Sequence, residues 1–195
     1  MTRLPNRRAF ERDARRSLEQ ALEEAGRVTL AVIDLSGFKA VNDRMGHSAG
    51  DHALQRISHV LASSCPKAYR VGGDEFLLLL EMDTARAIEV SEYIVERIRA
   101  LEFDKGLRIL ANIGLAEFPL EAHSLDALQT LADHRMYTAK RLNRPMLRPD
   151  ELENLPTPQR RESDRAKSAE LPKPNPPKKP KKPKKLDKLK KPKKG

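Results

Sequence analysis

RVGGDEFLLLL, Arg70–Leu80, decides how the chain is read. Leu77–Leu80 is a short apolar run, as a strand covered on both faces requires. Gly72-Gly73 is a turn signal, and Arg70-Val71 closes a preceding strand. The stretch is therefore a hairpin whose tip carries Asp74 and Glu75. By itself such a tip is a surface turn with solvated acids; a chemical role requires partners from elsewhere in the chain.

About Asn6 to Ala25 reads as a helix with Phe10, Ala14, Leu18 and Leu22 on one face and Gly26 as its C-cap. Val28–Leu35 is a buried strand with Asp34 at its mouth. A short helix follows over about Lys39–Met45, closed by Gly46. A longer one, about Ala49–Ser64, turns Ala53, Leu54, Ile57, Val60, Leu61 and Ser64 inward. Thr84 N-caps a helix to about Leu101, with Ala87, Val90, Ile94, Ile98 and Leu101 inward. Leu107–Phe118 is a strand, and Ser124 caps a last helix to about Leu142. The order αβααββαβα predicts an α/β (α+β) domain: a mixed, partly antiparallel sheet with helices packed on it, long enough for a real core.

The net charge of +10 comes from one segment. Residues 171–195 hold 12 of the 38 basic side chains and one of the 28 acidic ones, which leaves 26 basic and 27 acidic side chains in residues 1–170. Organisation follows the same division: a folded domain over 1–148, a polar linker over 149–170, and a Lys/Pro-rich tail over 171–195. Proline at that density forbids helix and ladder, so the tail is expected to be disordered and partly polyproline II. A solvated solubility tail is the plain reading; the alternative is capture of a polyanion by its lysines, nucleic acid in preference to an anionic membrane surface. The single cysteine, Cys65, excludes an intrachain disulfide and fits a reducing compartment. No apolar run approaches the ~18 residues of a membrane span, and no signal peptide opens the chain; a cytoplasmic protein is expected.

A sheet of this order places the end of Val28–Leu35 beside the hairpin tip, bringing Asp34 towards Asp74 and Glu75. Three converging acids stay ionised at low cost only around a cation. Carboxylate oxygens select Mg²⁺ or Mn²⁺, with phosphate oxygens completing the shell. The chemistry that uses such a site is phosphoryl or nucleotidyl transfer. Glycines beside it let a phosphate approach the backbone.

GGDEF at Gly72–Phe76 resembles the signature of the GGDEF family, the bacterial diguanylate cyclases. LPNRRAF (Leu4–Phe10), VIDLSGFKAVND (Val32–Asp43), GHSAGD (Gly46–Asp51), NIGLA (Asn112–Ala116) and ADHRMYTAK (Ala132–Lys140) follow in register. The resemblance covers about residues 1–148. It implies a fold related to the polymerase palm and the class III nucleotide cyclases. It also implies condensation of two GTP into cyclic di-GMP, with two pyrophosphates released, between two domains of a homodimer. Asp34 and Asp74 match the family's metal ligands, with the Leu35 carbonyl assisting, and Glu75 completes the catalytic acid pair. Gly72 and Gly73 match the positions that approach the phosphates. Asn42 and Asp51 match the guanine-reading positions; a carboxylate accepting from the N1–H and N2–H₂ edge suits guanine and not adenine. Phe38, Lys39 and His47 lie in the loop that shapes the phosphate and base pockets. Lys140 and Arg144 match the triphosphate-binding cations and, four apart on the last helix, would share a face.

The sequence departs from the pattern in places. Ser36 stands where most members carry a second acid, and Asn143 and Pro145 flank Arg144 in place of Gly and Asn. The product-inhibition R-x-x-D is replaced by Ser63-Ser64-Cys65-Pro66. The sequence opens inside the family's first motif; the upstream sensory domain that pairs most members is expected to be missing, and weak activity in isolation is expected with it. A catalytically inactive GGDEF module that binds GTP or a protein partner, localised by its tail, is the second reading. His52 and His59 are expected at the surface, Cys65 as a loop thiol, and Tyr69, Tyr93 and Tyr137 in the core or at its rim.

Overall fold

The computed structural model describes residues 2–103, 106–147 and 149–152, the first two of the last group as backbone only. The elements are α1 (Arg7–Glu23), β1 (Val28–Ser36), α2 (Phe38–Met45), α3 (His47–Ser64), β2 (Ala68–Arg70), β3 (Glu75–Leu80), α4 (Thr84–Arg99), β4 (Leu110–Phe118), α5 (Leu125–Arg141) and α6 (Pro149–Leu152). The strands form one sheet in the order β2-β3-β1-β4. Every pairing is antiparallel, so the expected partly antiparallel sheet is antiparallel at all its described neighbours. β3 and β4 flank β1 and run parallel to each other, joined through α4, which gives the crossover length that parallel strands need.

Strand alternation divides the core in two. Ala31, Ile33 and Leu35 of β1 join Val41 of α2, Ile57 and Leu61 of α3, and Ile94 and Ile98 of α4 on one face. Leu30 and Val32 join Phe10, Ala14 and Leu18 of α1 and Leu128, Ala132 and Met136 of α5 on the other. Both faces of β1 and β3 are covered, which is why these strands are apolar runs and not alternating ones. Each fully buried Leu or Ile contributes about 1.5–3 kcal/mol.

The opening motif ties the chain to the sheet edge. The Asn6 side chain caps α1 by accepting from the Ala9 N–H at 3.1 Å. The Pro5 carbonyl accepts from the Arg70 N–H at 2.9 Å, giving β2 a partner on its outer side.

Several expectations are corrected in detail. Leu22 is 64 % exposed, and Ala21 is the buried residue after Leu18; a helix of 3.6 residues per turn brings i+3 inward there. Ala25, at φ 51°, takes the left-handed position that ends α1, and Gly26 donates to the Ala21 carbonyl. Asp83, not Thr84, caps α4, accepting from Arg86 N–H at 3.0 Å. The Thr84 N–H and hydroxyl both donate to buried Glu117 at 2.8 Å. β4 begins at Leu110, three residues later than expected. Cys65 is no loop thiol: it is buried at the end of α3, and that burial pushes its thiol pKa up. Tyr69 is buried, whereas Tyr93 and Tyr137 are exposed. His52 and His59 are exposed, as expected. The linker expected from residue 149 opens with the one-turn α6, and the rest of it, like the basic tail, lies outside the described residues.

Candidate functional site

Glu75 of β3, Asp34 of β1 and Asn112 of β4 stand opposite one another on a single rung of the sheet. Directly opposed residues share a face, and alternation from Leu30 and Val32 assigns this rung to the face covered by α1 and α5. A polar row closes three otherwise apolar strands at one end. The Asp34 side chain is 15 % exposed, and the Lys140 ammonium of α5 forms an ion pair with its Oδ2.

Gly114 explains how Lys140 reaches it. A Cβ at Gly114 would overlap the Ala132 carbonyl oxygen and the Met136 nitrogen, so only glycine lets α5 lie this close to β4. From Gly114 back to Asn112 is two strand residues, roughly 7 Å. From Met136 on to Lys140 is four helix residues, about 6 Å. Helix and strand run in opposite senses, so the contact at Met136 delivers Lys140 to the Asp34 rung.

The hairpin tip is organised by Arg70, which the sequence marks only as a strand end. Its guanidinium donates to the Gly72 carbonyl at 3.2 Å and to the Gly73 carbonyl at 2.7 Å. A Cβ at Gly72 would lie 2.7 Å from Glu75 Oε2, whereas one at Gly73 would meet nothing within 4 Å. Neither glycine has positive φ. Gly72 thus makes room for Glu75, and Gly73 leaves the backbone open to an approaching group.

The three acids occupy neighbouring positions without forming a ready cage. Among the described residues no three His, Cys, Asp or Glu side chains gather closely enough to hold a metal ion. The expected convergence of Asp34, Asp74 and Glu75 is therefore reduced to the cross-strand neighbours Asp34 and Glu75, with Asp74 one residue outside the rung. The donor set still fits Mg²⁺, which binds through one or two carboxylates plus substrate phosphates and not in an all-protein cage. Asp34 already has a cation against its carboxylate.

The other expected residues divide between two places. Phe38 is half-buried at the start of α2 and Lys39 is exposed beside it. A Cβ at Gly50 would overlap Asn42 Oδ1, so glycine there seats the Asn42 side chain against the first turns of α3, next to exposed Asp51. His47, also exposed, opens α3 after Gly46 at φ 83°. Arg144 departs from expectation. α5 ends at Arg141, and Asn143 at φ 54° takes the left-handed position. Asn143 N–H then donates to Lys140 O at 3.1 Å and Arg144 N–H to Ala139 O at 2.9 Å, a Schellman end. Arg144 hence lies beyond the helix and does not share a face with Lys140. Its guanidinium pairs with Glu151 of α6 at 2.7 Å.

Two further residues, within NIGLA and ADHRMYTAK, carry no sign of their contacts in the sequence. Asn112, 6 % exposed, donates to the Arg144 carbonyl at 2.7 Å and accepts from the Ser36 hydroxyl at 2.7 Å. Arg135 of α5 makes a forked pair with Glu121 at 2.7 and 2.9 Å and donates to the Leu115 carbonyl at 2.7 Å, locking α5 to β4 and its loop. Burial raises the Glu121 pKa, but the Arg135 hydrogen bonds and the Glu117 N–H outweigh it, so the carboxyl titrates below its ordinary 4.5.

Fold and site together define an antiparallel α/β domain with carboxylates and a lysine at the mouth of its central strand. The profile of the family described as "Diguanylate cyclase, GGDEF domain" matches residues 1–145, and the chain belongs to that family. It is 35 % identical over 146 residues to the bifunctional diguanylate cyclase/cyclic di-GMP phosphodiesterase MucR of Pseudomonas aeruginosa, covering 72 % of this chain and 21 % of that protein. It is 35 % identical over 160 residues to the diguanylate cyclase TpbB of the same species, covering 78 % of this chain and 37 % of TpbB. The chain thus spans well under half the length of these two relatives. The crystal structure of the TpbB GGDEF domain superposes with a TM-score of 0.68 at 35 % identity, covering 73 % of this chain and 93 % of that one. Among the described residues no helix is long and apolar enough to cross a membrane.

Proposed function

We propose that the chain condenses two GTP into cyclic di-GMP, as a homodimer in which each copy presents one nucleotide. The observation that carries this is the rung that sets Glu75 beside Asp34, with Lys140 on the Asp34 carboxylate. Asp34, Asp74 and the Leu35 carbonyl would hold Mg²⁺ or Mn²⁺. The ion, when bound, neutralises charge on the triphosphate and lowers the pKa of the attacking hydroxyl. Lys140, which lies against Asp34, would reach the triphosphate, joined by Arg144. Gly73 would admit the phosphates and Gly72 the Glu75 side chain. Asn42 and Asp51 would read the guanine edge, with Phe38, Lys39 and His47 around it.

Each step forms one bond from a ribose 3′-oxygen to the α-phosphorus of the facing GTP and breaks its α–β bridge. Pyrophosphate leaves, and the hydroxyl proton passes to the Asp74–Glu75 acid pair or to water. The second step repeats this in the opposite sense and closes the ring. Residues 171–195 would hold the protein on a polyanion, nucleic acid in the first instance, by contacts that weaken steeply with salt.

The test is pyrophosphate release by the full chain from GTP and from ATP, with Mg²⁺ or Mn²⁺, over a range of protein concentrations. GTP-selective release that rises faster than linearly with protein concentration is expected. Equal release from ATP, or a strictly linear dependence at concentrations where the chain is monomeric, contradicts it.

A further inference from the structure

We propose that Asn112, oriented by Ser36, is a positioning residue that holds the Arg144 backbone beside the mouth of β1 for substrate binding. The inference rests on the reading of this site as a nucleotide site. Asn112 sits on the Asp34 rung, and Ser36, opposite Leu110, is its diagonal neighbour on the same face. The Arg144 carbonyl can only accept, so the amide NH₂ faces it, and the amide oxygen is left for the Ser36 hydroxyl, which donates. Both ends of a buried amide are thereby used, each at 2.7 Å.

The bond matters because it holds the exposed turn between the end of α5 and the buried Met146 and Leu147. Arg144 and Pro145 are exposed, and Asn143 is in the left-handed region. Beyond the Schellman bonds that end α5, the backbone here is attached to the sheet by the Asn112 amide and by Ile113 N–H donating to the Pro145 carbonyl at 2.7 Å. Residue 112 thus couples the carboxylate rung to the segment that carries the second candidate triphosphate cation.

The chemistry makes a specific demand on position 36. A carboxylate in place of the Ser36 hydroxyl can only accept, and would face the Asn112 oxygen. Flipping the amide would satisfy it but point that oxygen at the Arg144 carbonyl. Either way two acceptors meet, so Ser36→Asp disrupts the relay only while Asn112 is present.

The experiment uses the full chain, with calorimetric titration of a GTP analogue carrying an α,β-methylene bridge and hydrogen exchange at the Ile113 amide. Wild type, Ser36→Ala, Asn112→Ala, Ser36→Asp and the Ser36→Asp/Asn112→Ala double variant are compared, and melting temperatures verify folding. Asn112→Ala is expected to weaken binding roughly five- to tenfold, the loss of one buried hydrogen bond, and to speed Ile113 exchange. Ser36→Ala is expected to have a smaller effect in the same direction. Ser36→Asp is expected to match Asn112→Ala alone and to add nothing to it in the double variant. Wild-type binding with Asn112→Ala binding equally well overturns the inference, as do additive effects of Ser36→Asp and Asn112→Ala. A folded wild type that binds no analogue overturns the nucleotide reading instead, and unchanged Ile113 exchange in Asn112→Ala then overturns the relay as well.

Discussion

The ammonium of Lys140 rests on the carboxylate of Asp34, joining the last long helix to the mouth of the central strand across 106 residues of sequence. With the Lys140 side chain 42 % exposed, the pair contributes little to stability, about 0–1 kcal/mol. Its weight is expected in substrate binding. Lys140→Ala should raise the KM for GTP about tenfold, the effect of losing one charge-assisted hydrogen bond, while the melting temperature stays within a few degrees. Steady-state kinetics beside a thermal melt checks both halves; an unchanged KM excludes Lys140 from the triphosphate.

Gly114 is required for α5 to lie on the sheet. Gly114→Ala drives a methyl into the Ala132 carbonyl and the Met136 backbone, neither of which is a flexible side-chain end. A loss of about 1–3 kcal/mol or more is expected, read by urea unfolding. Stability at the wild-type value would mean that α5 does not pack on β4 as described.

The Arg135–Glu121 fork imposes a pH dependence. Because Glu121 titrates below 4.5 in the folded chain, its contribution is complete above the unfolded value and is lost as pH falls through the lower folded one. Wild type should therefore exceed Glu121→Gln in stability at pH 7, and the gap should narrow below about pH 4.5. Chemical denaturation at several pH values measures it, and a constant gap contradicts the assignment.

Ala25 holds a left-handed conformation at the end of α1 that favours glycine. It is exposed, so no packing is lost on substitution. Ala25→Gly should stabilise by about 0.5–1 kcal/mol, visible as a raised melting temperature. A lower one would show that Ala25 makes a contact worth more than the relieved strain.

The apolar runs Val28–Leu35 and Leu77–Leu80 made the central strands legible, because both faces of each are covered. The Gly-Gly turn with its acids did the same for the Asp34–Glu75 neighbourhood. Less of the detail at element ends was legible. Asp83 and Thr84 are both good caps, and Glu117, far away in sequence, claims the Thr84 N–H and hydroxyl. The end of α5 depends on Asn143, a residue tolerant of left-handed geometry, which takes Arg144 off the helix. Asn112 lay hidden inside an apolar strand, since its two partners come from residues 36 and 144. The glycine in NIGLA was the available signal for a close approach, and it marks where α5 meets the sheet.

The central claim is that this site joins two GTP molecules. The most direct measurement is mass spectrometry of the products after the full chain is incubated with GTP and Mg²⁺, with Asp34→Asn and Glu75→Ala beside it. Cyclic di-GMP from wild type, and none from either variant, is the predicted result. Intact GTP at high protein concentration, with nucleotide nevertheless bound, would contradict it and leave a GTP-binding module without catalysis.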